Sequence, residues 1–596
     1  MQSSALENLR RRESFKYHLV AEGVLIGIIT GALISVFRLM LVHADELRSR
    51  LVAYAGTGAG AAVLTAILLV FIALIIAVLL DAEPEIAGSG IPQVEAELKG
   101  QKDMCWYRVI PAKIAGCALA IGGGLALGRE GPSIQLGAMV GKGVSRGGHR
   151  LLTEERLLVT CGAGAGLSAA FGAPLAGAIF TLEELHHNFS AEVLLSTLAA
   201  TTASDFVAAN VFGLTPVFGF DISHGLPLRY YWAVVLLGII LGFFGMLYNK
   251  SIGLMQDLFD GIGLGGARLA GLLPGLSVSA LTDSARLNQA GERASRLTRM
   301  LVIFAAAFLM MFIYPLALGS GSSLVGQIGK GEFGLQALII LLLIKFIYST
   351  ASFGSGSPGG IFLPLLVLGA VSGGLFSRIL GIFGLDQSFI TAFVVIGMAG
   401  CFSAIVRSPV TGVILITEMT GDFTCLLPLV IASLIAYLTA EFFGIEPIYE
   451  QLLHRSQRKA RSSHAPEKTE PAKSYFEKAP GKTVSGRKKT KIGMAADDHE
   501  AIARMSRSNR LLIKDRKTII EADIHIGSYM DGRSVMEFGL PLGTLIISVM
   551  RDGVEIIPDG HTILRGGDAL EILMRDRDIS DVENIIERRC HTAGTP

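Results

Sequence analysis

The sequence predicts an all-α polytopic membrane domain built from two repeats, followed by a small soluble α+β domain. Three observations carry this. Apolar runs recur from Tyr17 to Leu453. Blocks of glycine, proline and acid recur inside that stretch at a nearly constant offset. Beyond it the chain turns basic and polar, then breaks into short β-type runs separated by glycine-rich turns.

The membrane assignment rests on composition first. Only 17% of the 596 residues are charged and 51% are hydrophobic, whereas a soluble domain carries about 25% charged residues. "HLVAEGVLIGIITGALISVF", "AAVLTAILLVFIALIIAVLL", "YYWAVVLLGIILGFFGMLY", "LVIFAAAFLMMFIYPLAL" and "LQALIILLLIKFIYS" each read as a crossing of about 30 Å of hydrocarbon. The first run is too long for a signal peptide and lacks a small-residue cleavage site, so no removable leader is expected. "NLRRRESFK" precedes the first run, and "HRSQRKARSS" and "GRKKTK" follow the last. Both termini are therefore expected in the cytoplasm, with an even number of crossings. Cys105, Cys117, Cys161, Cys401, Cys425 and Cys590 are scattered without a CxxC pair, which indicates neither a zinc site nor a disulfide framework.

The repeat is read next. "GREGPSIQLGAMVG" from Gly128 matches "GIFLPLLVLGAVSG" from Gly360 at offset 232, pairing Pro132 with Pro364 and Gly137 with Gly369. "GLSAAFGAPLAGAIFTLEE" matches "GCFSAIVRSPVTGVILITEM" at offset 235, pairing Ser168 with Ser403, Pro174 with Pro409 and Glu183 with Glu418. "GSG" at 88 and at 319 adds a third pair at offset 231. Interrupted apolar segments at matching places in two halves point to a transporter site at the repeat interface. Spacing alone leaves open whether the repeats run parallel or inverted.

Each interrupted block leads a glycine-rich piece into a helix: "GSGIP" into one, "GREGP" into a second, "GSPGGIFLP" into a third. Free N–H groups and the positive dipole end of a helix start favour anions. Broken backbone at membrane depth is tolerated only where protein buries it or it lines a cavity. Three converging starts would attract a small anion without a direct Lys or Arg ligand, which keeps release fast. Glu130 is then an anion tethered at such a start, able to occupy the site while charged and to leave it when protonated. Its plain alternative is a structural partner of Arg129.

"GSGIP", "GREGP", "FGAPLAG", "GGIFLP" and "EPIYEQLL", in that family's order, resemble the CLC family of chloride channels and chloride/proton antiporters. The resemblance implies a homodimer with one pore per subunit, each built from two inverted repeats. It implies that Ser89 and Tyr449 coordinate chloride through their hydroxyls, and Ile361 and Phe362 through backbone N–H groups. It implies Glu130 as the external gate and proton acceptor, and Glu184 as the internal proton-transfer acid of antiporters. Ser89 has a second reading as a helix cap, and Tyr449 as an interface-belt aromatic. Glu183 pairs with Glu418 in the repeat and is expected to be architectural; Glu184 pairs with Met419, as a function added to one half. Lys113 is expected to be a structural or electrostatic contributor, Arg129 to orient its loop, and His186 and His187 to be interfacial. Arg407 is placed near a helix end without a role.

The expected organisation is a transmembrane domain over 1–453, a basic disordered linker over 454–494 and a cytoplasmic domain over 495–596. In the last, "TLIISV", "VEIIP" and "ALEILM" read as strands and "DISDVENIIERR" as a closing helix. Residues 508–588 resemble the TrkA-C module, a regulatory domain that can dimerise and take a small-molecule regulator. The expected function is chloride/proton exchange across a bacterial-type inner membrane, with chloride and protons as cargo. No catalytic residue, metal, cofactor beyond bound chloride or nucleic-acid partner is expected, since no nucleophile–base pair, metal cluster or phosphate loop is present in the sequence. A passive voltage- or proton-gated chloride channel of the same fold is the alternative, and Glu184 counts against it.

Overall fold

The computed structural model describes residues 2–148, 150, 152–186, 191–220, 225–270, 284–463, 517–525, 527–541, 544–551, 554–575, 582 and 585–591. They fall into two compact units, residues 11–458 and a second drawn from 1–10 and 459–596.

The described residues of the larger unit are mostly helical. Its elements are α1 (Gln2–Ala55), α2 (Ala59–Ala82), α3 (Ile91–Leu98), α4 (Trp106–Gly122), α5 (Glu130–Gly147), α6 (Leu152–Phe171), α7 (Pro174–Phe180) and α8 (Ala191–Phe212). After α9 (Tyr231–Ala270) come α10 (Ser284–Ile313), α11 (Ser322–Gly329), α12 (Leu335–Gly354), α13 (Phe362–Ile382), α14 (Ile390–Val406), α15 (Pro409–Thr420), α16 (Leu426–Phe442) and α17 (Ile448–Ser463). The series α10 to α16 repeats α2 to α8 in order. Among the described residues, seven helices are long and apolar enough to cross a membrane. The eight-residue α3 and α11 rise only about 12 Å and end partway through.

α2 shows how one sequence serves two solvents. Leu69, Ile72, Ala73, Ile76, Ala77 and Leu80 form its buried stripe. Val63, Leu64, Ile67, Phe71 and Val78 are equally apolar but exposed. A water-facing surface would not carry such a row, and a lipid-facing one does. Inside, glycines set the spacing. A Cβ on Gly137 of α5 would collide with the Gly162 carbonyl of α6, and one on Gly162 with the Gly137 carbonyl. The matched pair in the other half, Gly369 of α13 and Gly397 of α14, is packed the same way, with a Cβ on Gly369 only 2.6 Å from the Gly397 oxygen.

One expectation changes. Residues 454–463, expected to begin a disordered linker, continue α17. Arg455 holds that end of the helix to α9, bonding Asp257 at 2.6 Å and Asp260 at 2.8 Å. The rest of the expected linker lies outside the described residues.

The smaller unit carries a four-stranded antiparallel sheet in the order β1-β4-β2-β3. Its strands are β1 (Lys517–Asp523), β2 (Leu545–Arg551), β3 (Val554–Ile556) and β4 (Ala569–Arg575). β1 runs beside β4 with Lys517 opposite Arg575 and Asp523 opposite Ala569. Sequence reading finds β2, β3 and β4 but misses β1. Ile546, Val549, Leu570, Ile572 and Met574 are buried with Phe538, Leu564 and Ile586. Of the expected closing helix, Val582, Ile585 and Ile586 are helical and Glu587–His591 forms a π turn; its other residues before Glu587 lie outside the described residues.

Candidate functional site

Three helix starts meet through glycine. Gly88 and Gly90 have φ of 63° and 94°, which lets the chain turn sharply into α3, with Pro92 in its first turn. Gly128, before α5, and Gly360, before α13, form an isolated antiparallel bridge. Gly128 donates to the Gly360 carbonyl at 2.6 Å, and Gly360 returns the bond at 2.8 Å. Gly359 donates to the Gly88 carbonyl at 3.0 Å, tying the α13 start to the α3 start. A Cβ on Gly131 would lie 2.8 Å from the Ser89 carbonyl, and one on Gly360 would lie 3.1 Å from the Gly131 nitrogen. The residues that bridge are those the repeat aligns, so the two halves meet there as an inverted pair.

No side chain of the cap residue closes any of these three starts. The first-turn N–H groups of a helix lack intrahelical partners, and the helix dipole adds positive potential. The starts of α7 and α15 are different. Glu418 of α15 accepts from Leu175 at 3.1 Å and Ala176 at 2.8 Å at the α7 start. Glu183 accepts from Val410 at 3.3 Å, Thr411 N–H at 2.7 Å and the Thr411 hydroxyl at 2.7 Å at the α15 start. Each half caps the other. Glu183 and Glu418 are architectural, as their pairing in the repeat suggests.

Glu130, the first residue of α5, is 0% exposed. Its carboxylate fills the space that a Cβ on Gly128 would take, beside the Leu363 amide of α13. The backbone amides of Arg129, Glu130 and Leu363 act on it, and the Arg129 Nε stands 3.9 Å away. Arg129 itself reaches the Ala170 carbonyl at 3.4 Å, which ties its loop to α6. Ser89 is buried, and its hydroxyl oxygen accepts from Ile91 N–H at 3.3 Å. That is a long capping bond, and it leaves the hydroxyl proton free to point elsewhere. Ile361 and Phe362 sit buried at the α13 start, with the Phe362 ring against Phe171 and Phe402 at 5.4 and 4.9 Å. Tyr449 is 1% exposed at the α17 start, and its hydroxyl has no hydrogen-bond partner. It lies within electrostatic reach of both Glu130 and Glu184. A tyrosine buried with an idle hydroxyl is not an interface-belt aromatic, because a buried O–H ordinarily finds a partner.

Glu184 is 7% exposed and lies in a π-helical turn, Thr181–His186, that extends α7. Such turns cluster at functional sites. The Ser408 hydroxyl donates to its carboxylate at 2.5 Å. His186 ends the turn, and His187 lies outside the described residues.

Several supporting residues escape sequence reading or are underread there. Lys113 donates to the carbonyls of Ile86 at 2.9 Å and Gly88 at 2.8 Å, bracing the loop into α3. Lys345, offset 232 from it, does the same for Ala317 at 2.8 Å and Gly319 at 2.7 Å before α11; the repeat could have found it. Arg407, the C-cap of α14 at φ 75°, donates to the Ile445 carbonyl at 2.9 Å. Asn249 of α9 donates to the Glu446 carbonyl at 3.3 Å and the Ile405 carbonyl at 3.1 Å. Together they fix the loop that delivers Tyr449. Glu97, Asp103 and Glu155 gather within reach of one another, but Lys142 pairs with Glu97 and Asp103, and Arg146 with Asp103 and Glu155. That cluster is a charge clamp between α3, α5 and α6, with each acid already paired to a cation.

Comparison with known proteins agrees with this architecture. The voltage gated chloride channel family matches residues 70–441, and the TrkA-C domain matches residues 505–587. An H(+)/Cl(-) exchange transporter ClcA from Vibrio cholerae is 34% identical over 378 residues, 63% of this chain and 75% of the relative. One from Vibrio parahaemolyticus is 33% identical over 396 residues, 64% of this chain and 78% of the relative. Among solved structures, a slow cyanobacterial Cl-/H+ antiporter superposes with a TM-score of 0.65 at 27% identity, covering 74% of this chain and 98% of the other. These relatives are transporters, not enzymes. The paired repeats, the shared helix starts and the matched sequence lead to one statement: the chain belongs to the CLC, or voltage gated chloride channel, family, with a TrkA-C domain at its C-terminal end.

Proposed function

We propose that this protein exchanges chloride for protons across the membrane. The observation that carries the reading is the meeting of three helix starts, none closed by the side chain of its own cap residue, around a buried carboxylate. Chloride enters as cargo, held by the Ser89 hydroxyl, the amides of Ile361 and Phe362, and the Tyr449 hydroxyl. The idle Tyr449 hydroxyl supports this, because a buried donor is costly without an acceptor. Glu130 competes with chloride for the same helix starts. Protonation removes its charge and its reason to stay, so uptake of a proton from outside opens the site to chloride. Glu184 passes the proton to the inside. The relatives named as H(+)/Cl(-) exchange transporters support antiport over passive conduction, as does the second buried acid.

The reading places the protein in a bacterial inner membrane with both termini in the cytoplasm. It works as a homodimer with a pore in each subunit, and its TrkA-C domain takes a small-molecule regulator. Purified protein in liposomes tests the core of this. A chloride gradient should drive protons uphill in the wild type. Glu130→Gln and Glu184→Gln should each stop proton movement while chloride still flows. Proton pumping by Glu130→Gln would sink the gate assignment, and pumping by Glu184→Gln would require another internal route.

A further inference from the structure

Ser408 stands where serine ordinarily caps a helix, at the N-cap of α15, yet its side chain makes no capping bond. Glu183 does the capping instead, from the other half. The freed Ser408 hydroxyl, itself 1% exposed, donates to Glu184 at 2.5 Å. The molecule contains its own comparison. At the matched position of the first half, the N-cap of α7 is Ala173, and the residue matching Glu184 is Met419. There Glu418 caps the start with no hydroxyl present. The cap architecture therefore does not need the serine. Hydroxyl and second acid face each other across one of the two matched junctions between the halves, and both are missing from the other, where Ala173 and Met419 stand in their places.

From this we infer that Ser408 is a positioning residue for Glu184, holding its carboxylate in one orientation and setting the pH at which it exchanges protons. The inference rests on the proton-transfer reading of Glu184. Charges that act on the same carboxylate come from Glu95 of α3, Glu183 beside it and Glu450 of α17. All three are acidic and, where ionised, oppose its ionisation. The Ser408 hydroxyl favours the ionised form, because a donor bonded to a carboxylate stabilises its charge. Removing it should favour the protonated form.

The experiment uses the full chain in liposomes, with chloride-driven proton pumping followed as the pH on both sides is varied together. Ser408→Ala should move the midpoint of the profile upward by about one pH unit, the scale of one charge-assisted hydrogen bond. Ser408→Thr, which keeps the hydroxyl, should restore the wild-type midpoint. Should the alanine variant fail to assemble, Ser408→Cys, with its weaker donor, reads a shift of the same sign. Ala173→Ser, which adds a hydroxyl where Met419 stands in place of the second acid, should leave the profile in place. An alanine profile superposed on the wild type overturns the inference, as does a threonine variant that behaves like alanine. A shift of equal size from Ala173→Ser would overturn it too, by assigning the effect to helix starts in general. Wild-type protein that carries chloride without protons would overturn the antiporter reading itself.

Discussion

Truncating Glu418 tests the exchange of caps between the halves. Glu418→Ala strips the α7 start of both acceptors, the bonds at 3.1 and 2.8 Å. A hydrogen bond to a charged group contributes roughly 1.5–3 kcal/mol, and loss of a helix cap costs about 0.5–2 kcal/mol. Glu418 is half-buried, and a net cost of about 2–3 kcal/mol is expected. For a membrane unit of this size that corresponds to a fall of about 2–3 °C in the melting midpoint in detergent. Glu418→Gln keeps one acceptor oxygen and should lose about half as much. Glu183→Ala should cost at least as much as Glu418→Ala, because it removes three bonds at the α15 start. The double variant should fall short of the sum, since both caps join α7 to α15 and coupled sites are not additive. Melting of Glu418→Ala within about 1 °C of wild type would refute the reasoning, and so would full additivity with Glu183→Ala.

Other outcomes follow from the same contacts. Gly137→Ala forces a Cβ onto the Gly162 carbonyl and should cost about 3 kcal/mol or more; Gly60→Ala, with open space around it, should stabilise by about 0.5–1 kcal/mol, and thermal melting reads both. Lys113→Met and Lys345→Met each strip two carbonyls of their donor and should destabilise alike by about 1–3 kcal/mol, whereas isothermal titration should find chloride binding weakened only by Lys113→Met, whose loop carries Ser89. Asn249→Ala releases the loop before Tyr449 and should weaken chloride binding by roughly fivefold, the equivalent of about 1 kcal/mol.

Much of the site is legible in the sequence because duplication writes its parts twice. The offsets 232 and 235 bring Gly128 to Gly360 and Glu183 to Glu418, and these prove to be a bridge and a pair of caps. What the offsets do not carry is that the acids cap across the halves and not within them, since that depends on how the repeats face each other. Lys345 sits inside a run of leucine and isoleucine that reads as an ordinary span, and only its match with Lys113 marks it. The short helices α3, α7 and α11 are too brief to register as spans, though they present or frame the helix starts. Ser408 precedes a proline and looks like an ordinary cap; its partner is 224 residues away. β1 follows a polar stretch and has only Ile519 and Ile520 to announce it, so its place in the sheet is decided by β4.

The crossed caps have a bearing on how such a chain could arise. Neither half is complete: each holds a carboxylate that caps a helix start of the opposite half, and each leaves a helix start that the opposite half closes. A half-length ancestor bearing that acid would have left a charge and two backbone amides stranded in hydrocarbon as a lone molecule. It would have needed a second copy of itself, turned upside down, to be stable at all. Fusion of the two copies then freed each to diverge from the other, and the presence of Glu130 and Glu184 in one half, with Phe362 and Met419 at the matching places of the other, is the mark such a release leaves.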